Sequence, residues 1–223
     1  MNWLNKTLTS SIGKKIVMAI TGLFLIIFLI IHTAINGLIF YNDHGKTFTA
    51  VAHFMGNNPV TRTIEIFLIL GFLIHIWQGL YLWNQNRKAR PISYAYKNDA
   101  ASSTWYSRSM ALLGTLILLF LIIHTSAFWI PNRINQLRFS KELPLYEMML
   151  EKFDNPVMVG VYLLGCFSLF WHLLHGFKSA FRSMGWSHLK YNKAIYISGI
   201  AYSIIIPTIL SMMPLSIFCG WIG

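Results

Sequence analysis

The sequence predicts an all-α membrane protein: five transmembrane helices, the first four packed as a bundle and the fifth set against it. Three observations predict it. Of 223 residues, 55% are hydrophobic and only 11% are charged, against about 25% charged in a soluble domain. Five apolar runs reach the ~18 residues that mark a membrane span: Ile16–Phe40, Ile64–Trp83, Met110–Ile130, Val157–Phe177 and Ala194–Phe218. The net charge of +11 collects on one side of those runs. Unpaired backbone groups are expensive in lipid, so each run is expected to be a helix. The spans and their connections leave no room for a second domain, and residues 1–223 read as one unit.

The first run is longer than the 7–15 residues of a signal-peptide core and has no small-residue cleavage pattern after it, so it reads as a retained helix. Lys6, Lys14 and Lys15 precede it; Arg87, Lys88, Arg90, Lys97 and Arg108 follow the second run; Lys178, Arg182, Lys190 and Lys193 follow the fourth. With alternating helices these 12 basic residues share one side with a single acid, Asp99. The opposite side balances six basic residues against six acids. Positive charge marks the cytoplasmic face, so the N-terminus is expected inside and the C-terminus outside. The basic excess is thus a topology signal rather than a nucleic-acid surface, and it can attract anionic lipid or a cytoplasmic partner.

Trp3, Trp83, Trp105, Trp129 and Trp186 fall near span ends, as interfacial belts do. The outer connection 131–156 carries Leu143, Leu145, Met148, Met149 and Phe153 and is expected to form a short surface helix. Pro207 and Pro214 are expected to kink the fifth helix, which contains no histidine. Cys166 and Cys219 read as small buried residues.

The chemistry lies in an internal repeat. Phe28-Leu-Ile-Ile-His-Thr33 returns as Phe120-Leu-Ile-Ile-His-Thr125, and Gly22 and Gly114 lie ten residues before His32 and His124. Gly71-x3-His75-x3-Gly79 is echoed by Ser168-x3-His172-x3-Gly176. Counted from the basic rim at ~1.5 Å per residue, His32 and His124 lie level, roughly 25 Å in. His75 and His172 lie level at roughly 15–18 Å. The four-helix bundle can therefore aim two histidine pairs across its core at two heights.

An ionisable side chain inside a span is costly and is a functional candidate. Bis-imidazole ligation of haem iron accounts for the pairs: one ring nitrogen meets the metal and the other donates to a carbonyl. Gly79 and Gly176 lie four residues after His75 and His172, on the same helix face, and leave a flat hollow for a porphyrin. Asn36 holds that place after His32, where the hollow is less clear. No carboxylate or thiolate completes a zinc or copper site. No Cys-x-x-Cys-His motif is present, so haem is not attached covalently. His175, one turn from His172, is the alternative ligand; His172 is preferred because Gly follows it at the fourth position. His44, His53 and His188 read as surface residues.

Taken together, Thr21-Gly-Leu-Phe…His32, His75-x3-Gly79, His124 and His172-x3-Gly176 followed by Gly185-Trp186 resemble the dihaem cytochrome b membrane subunit of succinate:quinone oxidoreductases and quinol:fumarate reductases. The resemblance implies two b haems, the inner held by His75 and His172 and the outer by His32 and His124. It implies a bacterial inner-membrane location, partner flavoprotein and iron–sulfur subunits at the basic face, and a quinone, menaquinone being the expected species. Glu65, ten residues before His75, is the sole carboxylate at the mouth of a span and is expected to exchange quinone protons at the outer face; the alternative is a helix-start acid. Lys15, Arg108, Lys178 and Arg182, with Tyr106 and Ser107, are candidate partners for the inner haem's propionates. Two rival readings remain: the dihaem cytochrome b of a hydrogenase or formate dehydrogenase, and a histidine-bearing transporter or anchor without haem.

Overall fold

The computed structural model describes residues 10–89, 104–186 and 188–223. Trp3, Lys6, Arg90, Lys97 and Asp99, used above as belt and topology residues, lie outside them. Among the described residues there are helices and no strands. In chain order these are α1 Ser11–Asn36, prolonged by a 3₁₀ turn Gly37–Tyr41; α2 Lys46–Asn57; α3 Pro59–Lys88; α4 Trp105–Arg108; and α5 Met110–His124. A π-turn Thr125–Trp129 joins α5 to α6 Ile130–Phe139; α7 Leu145–Phe153, α8 Pro156–Ser183 and α9 Leu189–Phe218 follow. Five of these units are long and apolar enough to cross a membrane, at 28 to 31 residues each. At ~1.5 Å per residue they exceed the ~30 Å hydrocarbon core, so each runs past the apolar run that predicts it.

The start of each span is set by local chemistry. Ser10 accepts from the Gly13 N–H at 3.0 Å and caps α1. Asn58 and Asn155 cap α3 and α8 through the N–H groups of Val60 and Val157, at 2.8 and 2.9 Å. Each is followed by Pro at a position where a missing N–H costs nothing. Asn-Pro-Val thus opens the second helix of both halves, 17 residues before His75 and 17 before His172. This marker extends the histidine repeat and fixes the two histidines at one depth.

Helix α8 is the axis of the molecule: it packs against α9, α1 and α5, while α1 packs against α3. Tight crossings are made by small residues. A Cβ on Gly199 of α9 would meet Phe177 at 2.9 Å, and one on Gly165 of α8 would meet Phe120 at 2.6 Å. Pro207 and Pro214 are both buried inside α9, which continues through them. Lys14 ties the basic ends of α1 and α3 together through Tyr81 and Gln85.

At the opposite end the connections form a lid. The expected short helix is α7, and it buries Tyr146, Met149 and Phe153. Helix α2, which hydropathy alone does not reveal, buries Phe48 beside it. With Ile39, Tyr162, Ile217 and Ile222 these residues make one apolar cluster over the outer end of the bundle. Gly45 adopts φ +72°, and any Cβ there would strike the Tyr146 ring, so the turn into α2 requires glycine. Asp43 accepts from the N–H and hydroxyl of Thr47 at 2.9 and 2.6 Å; the hydroxyl bond holds its carboxyl below the usual carboxylate range.

Candidate functional site

The structure brings the four histidines together as two pairs. The rings of His32 on α1 and His124 on α5 have centroids 5.8 Å apart. Those of His75 on α3 and His172 on α8 are 6.2 Å apart. The half-repeats interlock here. A Cβ on Gly22 would sit 3.6 Å from Cε1 of His75, and one on Gly114 would sit 3.8 Å from Cε1 of His172. The glycine ten residues before each outer histidine therefore lies against an inner histidine on the neighbouring helix.

Three of the four rings have a partner for Nδ1. Thr21 Oγ1 lies 3.1 Å from that of His75. Tyr162 Oη lies 3.0 Å from that of His124. Asn36 Nδ2 lies 3.4 Å from that of His32 and donates to the His32 carbonyl at 2.8 Å. His172 Nδ1 is buried and unpartnered among the described residues. The outer pair is also walled by aromatic rings: Phe28 at 5.2 Å from His32, and Phe120 and Phe128 at 5.5 and 5.9 Å from His124.

These features fit haem. Two imidazoles held on one metal by bonds of about 2 Å have ring centres roughly 6 Å apart, which matches both separations. Hydroxyl oxygens that accept from Nδ1–H of His75 and His124 leave Nε2 of those rings as the free ligand atom, as metal-bound histidines require. Asn36 Nδ2 is itself a donor and does not set that tautomer at His32. Among the described residues, no group of three or more His, Cys, Asp or Glu side chains can hold a metal ion. A metal between these pairs would need its remaining ligands from the cofactor, as a porphyrin supplies. Gly176 adds open space beside the inner pair, with no atom within 4 Å of a Cβ placed there; at Gly79 the nearest is Met18 Cε at 3.8 Å.

The other expected site residues scatter. Arg182 lines a recess between α8 and α9 with Lys178, Phe181, Asn192 and Ile195. Lys15 and Arg108 are exposed near the basic end. His175 lies 6.4 Å from Tyr106, which stacks on Trp171; His172, not His175, faces His75. Glu65 is enclosed in a polar cluster. One oxygen accepts from Trp129 Nε1 at 2.6 Å and the other from Arg62 at 2.8 Å, with Arg133 at 4.0 Å. Gln136 and Glu142 continue the network to Asn57. The π-turn after His124 shifts the phase of the helix and delivers Trp129 and Arg133 to Glu65. Sequence reasoning missed Tyr162 and Trp129. For Tyr162 the signal was available, since it stands ten residues before His172 as Glu65 stands ten before His75.

No family model matches the chain, and no solved structure matches it significantly. Among curated proteins, the succinate dehydrogenase cytochrome b558 subunit of Bacillus subtilis (strain 168) is 27% identical over 155 residues, spanning 67% of this chain and 68% of that one. The resemblance drawn from the histidine motifs is borne out by that similarity.

Proposed function

We propose that the chain is the membrane anchor and cytochrome b subunit of a succinate dehydrogenase or fumarate reductase complex. The observation that carries this reading is the pair of histidine pairs, 5.8 and 6.2 Å between ring centres, stacked at two heights of one bundle. The similarity to a succinate dehydrogenase cytochrome subunit supports it. Two b haems, when bound, relay single electrons along the bundle between an iron–sulfur subunit and a quinone.

The chain's own residues prepare that relay. His75 and His172 hold the inner haem, and His32 and His124 the outer one. Thr21 and Tyr162 fix the rings of His75 and His124 so that they present Nε2. Gly22, Gly114, Gly79 and Gly176 keep the faces beside the inner rings free of side chains. The basic end, read as cytoplasmic, docks the iron–sulfur subunit with the flavoprotein beyond it, and Lys15, Arg108 and Arg182 supply cations for propionates there. The lid of α2 and α7 excludes water from the outer pair. Glu65 exchanges protons of the quinone, menaquinone being the proposed species, at the lid side. Arg62 Nη1 must release Oε2 for a proton to enter.

The test is isolation of the tagged chain from its native membrane. A flavoprotein and an iron–sulfur subunit should copurify, succinate should reduce the haems, and Glu65→Gln should slow quinone turnover at unchanged haem content. A chain that emerges with other partners, or whose haems ignore succinate, overturns the proposal.

A further inference from the structure

The unpartnered Nδ1 of His172 has a companion. One turn earlier on α8, Ser168 is fully buried, and its Oγ also has no partner among the described residues. Residues four apart share a helix face, so two orphaned polar groups neighbour one another in an apolar interior. Among the described residues one other hydroxyl buried in the spans, that of Thr33, also lacks a partner, and it lies beside the outer histidine His32; three more are satisfied. Thr21, Ser203 and Ser216 each donate to a carbonyl one turn back, at 2.9, 2.6 and 2.6 Å.

The repeat explains the place of Ser168. In the first half, Thr21 stands before Gly22 and reaches His75, while Gly71 stands four residues before that histidine. In the second half, Leu113 stands before Gly114 and Ser168 stands four residues before His172. The hydroxyl has moved from the neighbouring helix to the histidine's own. It has no room on the first, where a Cβ at Gly71 would already press Phe24 at 3.0 Å. The outer pair divides its supports in the same way. His124 is bonded by Tyr162 from a neighbouring helix, while the polar group nearest His32 Nδ1 is Asn36, four residues along its own helix.

We propose that Ser168 is the positioning residue for His172. With haem bound, a turn of the Ser168 side chain lets its Oγ accept the Nδ1–H of His172, which fixes the tautomer that offers Nε2 to haem iron, and donate its own proton to the Leu164 carbonyl one turn back. Neither bond is made in this structure. The proposal rests on the haem reading above. An acceptor at Nδ1 makes the imidazole a stronger donor to ferric iron. Loss of Ser168 therefore raises the reduction potential of the inner haem and leaves the outer one alone.

The intact complex is prepared with Ser168→Ala, Ser168→Thr, Ser168→Gly and the pair Leu113→Thr with Ser168→Gly, and titrated for both potentials and ferric low-spin EPR signals. Ser168→Ala should raise one potential, move one signal and weaken retention of that haem about 10-fold. Ser168→Thr should match the parent. The pair, which installs the first-half arrangement in the second, should return the potential of Ser168→Gly toward the parent value. Unmoved potentials and signals in Ser168→Ala, or equal shifts of both haems, overturn the proposal. If Ser168→Ala does not assemble, the pair decides: failure to restore the signal overturns it. A parent complex without haem removes the functional reading itself, a separate result visible before any variant is made.

Discussion

The outer and inner histidine pairs come from the same repeat and are enclosed by opposite means. Around the outer pair the chain spends bulk: Phe28, Phe120 and Phe128 crowd the rings, Tyr162 bonds one of them, and α7 closes over the top. Around the inner pair it withholds bulk: glycines stand at four neighbouring positions, and the one group bonded to a ring is the small hydroxyl of Thr21. The outer pair is thus shaped by side chains already in place. The inner pair is shaped by space, and depends more on what fills it. The difference teaches where each centre is vulnerable.

The largest effect is expected from removing a ligand. His75→Leu or His172→Leu should eliminate one haem and leave the outer centre at its parental spectrum, seen in reduced-minus-oxidised difference spectra. Loss of both haems from either variant would show that the pairs are not independent.

Filling space comes next. Gly114→Leu should exclude the inner haem, because even a Cβ there stands 3.8 Å from the His172 ring. Gly165→Ala should instead act on the outer pair, since its Cβ would meet Phe120 at 2.6 Å and push it toward His124. Overpacking of this kind costs about 1–3 kcal/mol, readable as a lower thermal midpoint of the outer haem's absorbance.

Smaller again is Tyr162→Phe. It leaves His124 Nδ1 without its 3.0 Å partner, a penalty of about 1–3 kcal/mol. The outer haem's potential should move while the inner one stays, by redox titration. A shift in the inner haem alone would reverse the assignment of the pairs.

Much of this arrangement was legible in the sequence because it is periodic. Five spans follow from five apolar runs, and both ring pairs follow from counting residues between charged rims and histidines. What was not legible depends on contacts between distant segments. The spacing of Tyr162 to His172 marks it out, but its bond to His124 is seen only when α8 is laid beside α5. The Glu65 cluster depends on a π-turn, which no hydropathy pattern marks and which rotates Trp129 and Arg133 onto α3. Helix α2 is too short and polar to announce itself, and it forms because Phe48 finds the lid. The recess that Arg182 lines with Lys178, Phe181, Asn192 and Ile195 is a further feature that the sequence alone does not reveal.

The measurement that bears most directly on the central claim is the haem content of the purified complex, by pyridine haemochrome assay and EPR. The account predicts two b haems per chain, both low-spin with paired imidazole ligands. One haem per chain, none, or a high-spin centre with an open coordination position would contradict it.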